Sequence, residues 1–180
     1  MINNHNSIIK FLRLKRREIR FIILFVLFFS FGQMLHYHYR FQIASVVVNH
    51  YNAKVSSHII NFLTPGENTS AQDRVIKSDK VRLEIALGCE GIEAVILVTA
   101  AICAFSAGIW AKFLGILLGT LIIYLSNLAR IIGLYYTLRY IPNLFSTMHV
   151  YVGQTVIIFI GVLFFITWTL NCAKIRQKNN

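Results

Sequence analysis

The chain has 180 residues, of which 56% are hydrophobic, and a mean hydropathy of +0.60. Soluble globular chains average about 45–50% apolar residues, so this composition excludes an ordinary soluble domain and favours a single integral membrane domain. The net charge of +11 could indicate a nucleic-acid partner. However, the basic residues lie at the ends of apolar segments, not on a polar face with base-stacking aromatics, so the charge indicates membrane topology and no nucleic-acid partner.

The first twenty residues predict a cytoplasmic basic tail, with six Lys and Arg side chains between Lys10 and Arg20. An apolar run follows and predicts a first transmembrane helix over 21–35. A basic segment before about eleven apolar residues is also typical of a secretory signal. We favour an uncleaved helix, because no small-x-small cleavage site follows and the Tyr and His cluster at 36–39 is typical of an interfacial aromatic belt.

Segment 41–63 places apolar residues at helical intervals with polar residues between them. This pattern predicts an amphipathic helix with one wet face on the outer membrane surface. His50 and His58 are interpreted as solvated side chains. If the segment crossed the membrane instead, the chain would have five spans and one terminus would change sides. The predicted wet face comprises Ser45, Asn49, Asn52, Ser56, Ser57 and Asn61.

Residues 64–88 predict an extracytoplasmic loop, because the loop opens with a turn cluster that contains Pro and Gly. Within 74–87, two short β-like runs flank Ser78 and Asp79. They predict a small hairpin that leads directly into Cys89.

Three further apolar segments predict transmembrane helices over 91–110, 112–138 and 148–170, followed by a cytoplasmic tail over 171–180. Each segment is long enough, because about 20 helical residues cross the hydrocarbon core. Lys112 separates the first two segments and predicts a turn at the inner surface.

Basic residues concentrate at both termini, so the positive-inside rule places both termini in the cytoplasm. Four spans, an even number, also place both termini on the same side of the membrane. The predicted fold class is an all-α polytopic membrane protein with about four transmembrane helices, an outer amphipathic helix and a small extracytoplasmic β-hairpin-like loop.

Three reactive side chains are predicted to meet at one depth on the outer side. Cys89 lies at the outer end of the second span, and His149 begins the fourth. Arg130 is 18 residues beyond Lys112, which is about 27 Å along a helix. A thiolate can attack a peptide carbonyl, an imidazole can transfer the proton, and a guanidinium can stabilise the developing charge. The trio therefore predicts acyl transfer.

Neighbouring residues modify this prediction. Gly88 and Gly91 can let a substrate backbone approach closely. Glu90 and Glu93 place negative charge beside the thiol and disfavour the thiolate. Arg130 and His149 would have to outweigh that charge.

Each of the three also has an ordinary structural interpretation, as a buried thiol, a snorkelling arginine and an interfacial histidine. The alternative functions are therefore a non-enzymatic membrane subunit of an envelope or transport complex, and a transporter or channel. No metal site is predicted, because His36 and His38 lack acidic or thiolate neighbours in sequence.

Three segments resemble the exosortase/archaeosortase family, and within it the small exosortase H type: Gly88–Ala94, Asn127–Ile131, and His149 with Gly153 four residues later. The resemblance covers roughly residues 40–170. It implies that Cys89 is the nucleophile, His149 the acid and base, and Arg130 the stabilising cation. Glu90 stands where many family members carry Ser or Ala. The predicted substrate-binding residues are Gly88, Gly91 and Asn127.

The resemblance further implies a cysteine peptidase or transpeptidase in the bacterial inner membrane, with its active site facing the periplasm. The implied substrates are secreted proteins that end in a short motif, one transmembrane helix and a basic tail. Exosortase H types would pair with an IPTLxxWG-like motif. No cofactor is predicted, and the lipid bilayer is the other expected partner.

Overall fold

A computed structural model describes residues 15–86 and 88–178 of the chain. The first apolar run forms helix α1 (Arg16–Val46), which continues into a π-helical segment (Val47–Lys54) and helix α2 (Val55–Leu63). The sequence predicts two separate elements here, over 21–35 and 41–63. They join because neither Gly nor Pro interrupts the helical backbone between residues 33 and 63.

Some of the predictions lie outside the described residues. Most of the predicted basic tail, residues 1–14, belongs to this group. The last two residues of the predicted C-terminal tail do as well. So does Leu87, which ends the second β-like run of the predicted hairpin.

The polar face of the outer helical segment, residues 47–63, is buried at its centre. Asn52 and Ser56 have no exposed surface, whereas Tyr51 is 55% exposed and Phe62 is 84% exposed. The prediction that this face is wet is therefore wrong at its centre. Two of the polar side chains find partners in the interior: the Ser57 hydroxyl donates to a backbone carbonyl in the following loop, and the Asn52 amide donates to the carbonyl of Glu90. Ser56 Oγ is buried without a partner among the described residues.

A three-stranded antiparallel sheet follows, with strands β1 (Ser70–Gln72), β2 (Val75–Lys77) and β3 (Arg82–Glu84) in that order. The hairpin prediction is confirmed by the pairing of β2 with β3, and β1 is an addition that the sequence did not predict. The turn needs no glycine, because Ser78 Oγ accepts the backbone N–H groups of Lys80 and Val81.

Helix α3 (Ile92–Ala104) is shorter than the span predicted over 91–110. Its 13 residues extend about 20 Å. The Lys112 side chain donates to the carbonyl of Cys103 at 2.7 Å and so satisfies one of the orphan carbonyls at the end of α3. The chain then passes through an extended Gly108 into the next helix.

Helix α4 (Ile109–Tyr140) contains the span predicted over 112–138 and extends beyond it at both ends. Two short helical turns follow (Pro142–Leu144 and Phe145–Thr147), and then a second π-helical segment (Met148–Val152). The last helix, α5, runs over Gly153–Lys178, whereas the sequence predicts a span over 148–170. In the described part of the chain, three helical stretches are long and apolar enough to cross a membrane: Arg16–Ile43, Ile109–Tyr140 and Pro142–Lys174. The prediction of an all-α membrane fold with a small β element is confirmed.

Two hydrophobic cores stabilise the fold. One joins helices α3, α4 and α5 through residues such as Val98, Ile123 and Ile157. The other packs the sheet and the outer helical segment against the C-terminal half of α4, with Ile76 and Tyr135 among its members. We call this second region, residues 47–88 with the end of α4 that they cover, the sheet end.

Candidate active site

Cys89 lies on a tight turn between β3 and α3. Gly88 has φ +91° and Gly91 has φ +83°, a left-handed backbone that costs glycine little and other residues much more. The N–H of Cys89 donates to the carbonyl of Ala86 at 3.1 Å. Gly91 also forms the N-cap of α3, so the thiol stands just before the positive end of that helix.

Three elements that are distant in sequence bring the predicted trio together. Arg130 Nη2 on α4 lies 3.6 Å from Cys89 Sγ, and His149 Nε2 on the second π-helical segment lies 3.8 Å from the same sulfur. Arg130 Nη2 also donates to the carbonyl of His149 at 3.3 Å. The guanidinium therefore links the thiol to the segment that carries the imidazole.

The His149 ring is oriented by an aromatic neighbour. It stacks on Phe145 with ring centroids 5.7 Å apart and an interplanar angle of 14°. With the ring held in this plane, Nε2 faces the sulfur. Nδ1 is buried and has no hydrogen-bond partner among the described residues.

Gly153 leaves the space that Arg130 occupies. A Cβ atom at position 153 would lie 2.5 Å from Arg130 Nε and 3.0 Å from its Cδ. The Arg130 Nε itself is buried without a partner in the described part of the chain. The sequence shows Gly153 four residues after His149, but its role becomes visible only when α4 and α5 are packed together.

Glu90 has a structural role that the sequence did not indicate. It is 6% exposed, and its carboxylate Oε2 accepts the N–H of Gly88 at 2.8 Å. The Asn52 amide donates to the backbone carbonyl of Glu90 at 3.3 Å. Glu90 and Asn52 therefore hold the turn that carries Cys89, whereas Glu93 is exposed. No local sequence pattern predicts this role of Asn52, because Asn52 and Glu90 are 38 residues apart in the sequence.

The predicted substrate-binding residues occupy two different environments. Gly88 is exposed, and a Cβ atom there would have no neighbour within 4 Å among the described residues, so the turn is open on this side. Gly91 instead packs on Asn127, whose Cγ would lie 3.1 Å from an added Cβ. Asn127 is fully buried, and neither atom of its amide has a described hydrogen-bond partner. Asn127 thus lies inside the protein, next to the half-buried Gly91 at the end of the turn.

A pocket borders the trio. Residues 83–86 form one wall as the chain leaves β3, and Ile131 and Leu134 contribute from α4. Cys89, Arg130 and His149 line the same pocket. Its volume of about 10 Å³ is that of roughly one water molecule, so a larger molecule would meet the three side chains at the mouth of the pocket.

A buried carboxylate ties the short helical turn before β1 (Pro65–Glu67) to α4. Glu67 is 5% exposed, and the Tyr135 hydroxyl donates to its Oε2 at 2.7 Å. Arg139 Nε lies 3.3 Å from Oε1. The hydrogen bond from Tyr135, with a smaller effect of Arg139, holds the pKa of Glu67 below its usual value of 4.5, although burial acts in the opposite direction. This link holds the turn that leads into the sheet against the helix that carries Arg130.

The remaining reactive groups are dispersed. All three cysteines are free thiols. Within residues 15–86 and 88–178, no group of three or more His, Cys, Asp or Glu side chains could hold a metal ion.

Comparison with known proteins shows the family of this chain. The family model described as transmembrane exosortase covers residues 10–167, which include Cys89, Arg130 and His149. No curated protein and no solved structure matches the chain. Together with the helices of membrane-spanning length, the match identifies a multi-pass membrane protein.

Proposed function

We propose that this chain, which belongs to the transmembrane exosortase family, is a membrane-embedded cysteine peptidase or transpeptidase. The contact of Cys89 Sγ with both Arg130 Nη2 and His149 Nε2 supports this most directly. An arginine with a purely structural role would pair with a carboxylate or reach the membrane surface. Among the described residues Arg130 has no carboxylate partner, and its guanidinium donates to a sulfur and a carbonyl.

In the proposed reaction, His149 Nε2 takes the proton of the Cys89 thiol, and the sulfur attacks the carbonyl carbon of the scissile peptide bond. Arg130 stabilises the negative charge that develops on the carbonyl oxygen. The C–N bond then breaks, His149 returns the proton to the leaving amine, and a thioester remains on Cys89. Water or an amine attacks this thioester, and His149 accepts a proton from the attacking group. The C–S bond then breaks, His149 passes the proton to the departing sulfur, and the Cys89 thiol is regenerated.

The proposed substrates are secreted proteins that end in a short motif, one transmembrane helix and a basic tail. Helix α3 is about 20 Å long, less than the roughly 30 Å hydrocarbon core. Arg130, which contacts Cys89, lies 21 residues beyond Ile109 at the start of α4, which is about 32 Å along that helix. This distance supports a location of Cys89 near the membrane boundary, where the residues just outside a substrate's transmembrane helix can reach it.

We place the site on the periplasmic side of a bacterial inner membrane. The end of the bundle opposite the sheet end is basic and carries no acidic residue other than Glu18 among its described residues. The positive-inside rule assigns such an end to the cytoplasm. Its basic residues include Arg16, Arg17, Arg20, Lys112 and Lys174.

The test is co-expression with a reporter protein whose C-terminus carries an IPTLxxWG-like motif, a transmembrane helix and a basic tail. Cys89→Ala should lower processing by at least roughly 10³-fold, because the nucleophile is lost. Cys103→Ala is the matched control and should process normally, because Cys103 lies at the far end of α3. An immunoblot for reporter size, with one for the enzyme in the membrane fraction, gives the result. Equal processing by Cys89→Ala and the parent chain would exclude the proposed mechanism.

A further inference from the structure

Strand β3 leaves one edge of the sheet free. The strand order is β1, β2, β3, and β1 packs against the first π-helical segment. Thr69, just before β1, also bonds to the side chains of Ser57 and Asn61. On the far side of β3, no strand pairs with it in the described part of the chain. An unpaired strand edge is a template for an added strand.

The register shows which backbone groups face this free edge. The N–H of Ile85 donates to the carbonyl of Arg74, and the N–H of Ser78 donates to the carbonyl of Val81, both at 2.8 Å. In an antiparallel pair, alternate residues point their N–H and C=O groups at the partner strand. Residues 81, 83 and 85 therefore face β2, whereas Arg82 and Glu84 direct their backbone groups to the open edge.

The free edge leads into the candidate active site. Residues 83–86 line the same pocket as Cys89, Arg130 and His149. The side chains alternate as in a strand with one covered face, since Leu83 and Ile85 are buried while Arg82, Glu84 and Ala86 are exposed. A peptide lying along this edge would reach the sulfur at its end.

Given the proposed function, we propose that β3 is the substrate-binding strand. The substrate segment that precedes the scissile bond adds to the sheet in extended form and bonds to the backbone of Arg82 and Glu84. It runs parallel to β3, because both chains approach the membrane boundary as they near Cys89. Backbone pairing supplies affinity for different sequences, and alternate substrate side chains pack over the mouth of the pocket and supply specificity.

The first experiment removes one backbone donor. Glu84→Pro deletes the N–H on the open edge and leaves the bonds to β2 in place, because proline is tolerated on edge strands. Glu84→Ala removes the same side chain and its ion pair with Arg74 but keeps the N–H. Processing of the reporter by Glu84→Pro should be roughly tenfold slower than by Glu84→Ala, since one hydrogen bond is lost and the ring crowds the added strand. Equal rates would overturn the proposal.

The second experiment does not depend on cleavage. Arg82→Cys is introduced into a chain that also carries Cys89→Ser, Cys103→Ala and Cys172→Ala. A single cysteine is then moved through the reporter residues that precede its transmembrane helix, and disulfide formation is measured in oxidised membranes. A paired strand predicts cross-links at every second reporter position. Cross-links at every position, at intervals of three to four, or at none would overturn the proposal.

The two experiments separate this inference from the proposed function. Alternating cross-links without any processing by the parent chain would support the strand and exclude the peptidase. Processing that depends on Cys89 but gives equal Glu84→Pro and Glu84→Ala rates and no alternation would support the peptidase and exclude the strand.

Discussion

A single methyl group at position 153 tests whether Arg130 must contact the Cys89 sulfur. In Gly153→Ala, the new Cβ atom would lie 2.5 Å from Arg130 Nε and 3.2 Å from its Cγ. The overlap falls on the middle of the arginine side chain, so rotation of the guanidinium alone cannot relieve it. Either Arg130 moves or α5 moves away from α4.

The size of the displacement follows from the contact. Ordinary separation between non-bonded heavy atoms is about 3.5 Å, so Arg130 must shift by roughly 1 Å. Its Nη2 is already 3.6 Å from Cys89 Sγ, so such a shift breaks this contact and the one to His149. A misplacement of about 1 Å near the reacting atoms costs on the order of 100-fold in rate.

The effect on stability should be small by comparison. Overpacking costs about 1–3 kcal/mol, but alanine is more favourable than glycine in a helix by about 1 kcal/mol. Gly153→Ala should therefore remain in the membrane at close to the parent level and lose about 100-fold in reporter processing. Gly133→Ala on α4 is the matched control, because a Cβ atom there has no described neighbour within 4 Å. It should process normally.

A double mutant shows whether the loss acts through the arginine. Arg130→Ala removes the side chain with which the methyl group collides, so Gly153→Ala should change little in that background. The reasoning is refuted if Gly153→Ala processes the reporter like the parent chain, or if its effect is undiminished when Arg130 is absent.

Two further predictions concern the residues that hold the site in place. Asn52→Ala should slow processing by roughly tenfold, because the turn loses the hydrogen bond between Asn52 and Glu90. His58 lies on the outer helical segment too but is exposed, so His58→Ala is the control and should match the parent rate. Glu67 has a lowered pKa, so its stabilising contact with Tyr135 is fully present above pH 4.5 and is lost as the pH falls through the folded-state pKa. Thermal melting in detergent should therefore show Glu67→Gln less stable than the parent at pH 7, with a smaller difference near pH 3; a difference that is independent of pH would contradict this.

Much of the fold could be predicted from local sequence patterns. Apolar runs of sufficient length predict the membrane helices, and alternation around Ser78 predicts the pairing of β2 with β3. The end of α3 was harder to place, because the apolar run continues past Ala104 while the helix stops there. A pattern of apolar residues shows that a segment favours a helix, but it does not show the tertiary contacts that end the helix.

The polar face of residues 41–63 shows the same limit more clearly. Hydrophilic side chains at helical intervals normally indicate a wet face. In the folded chain Asn52 and Ser56 are buried, and Phe62 is exposed, because the polar face packs on the loop before β1, on β1 itself and on the turn at Cys89. Such burial depends on partners tens of residues away, which a local pattern does not contain.

The sequence by itself determined that Cys89, Arg130 and His149 lie at one end of the bundle, because a helix rises a fixed 1.5 Å per residue and each position can be counted along its span. The tertiary structure decided the rest. It set the distances of 3.6 Å and 3.8 Å around the sulfur, gave Gly153 and Asn52 their roles, and left the edge of β3 open beside the pocket. Depth along a helix is a local property, whereas rotation about its axis and the choice of neighbours are fixed only when the elements pack against one another.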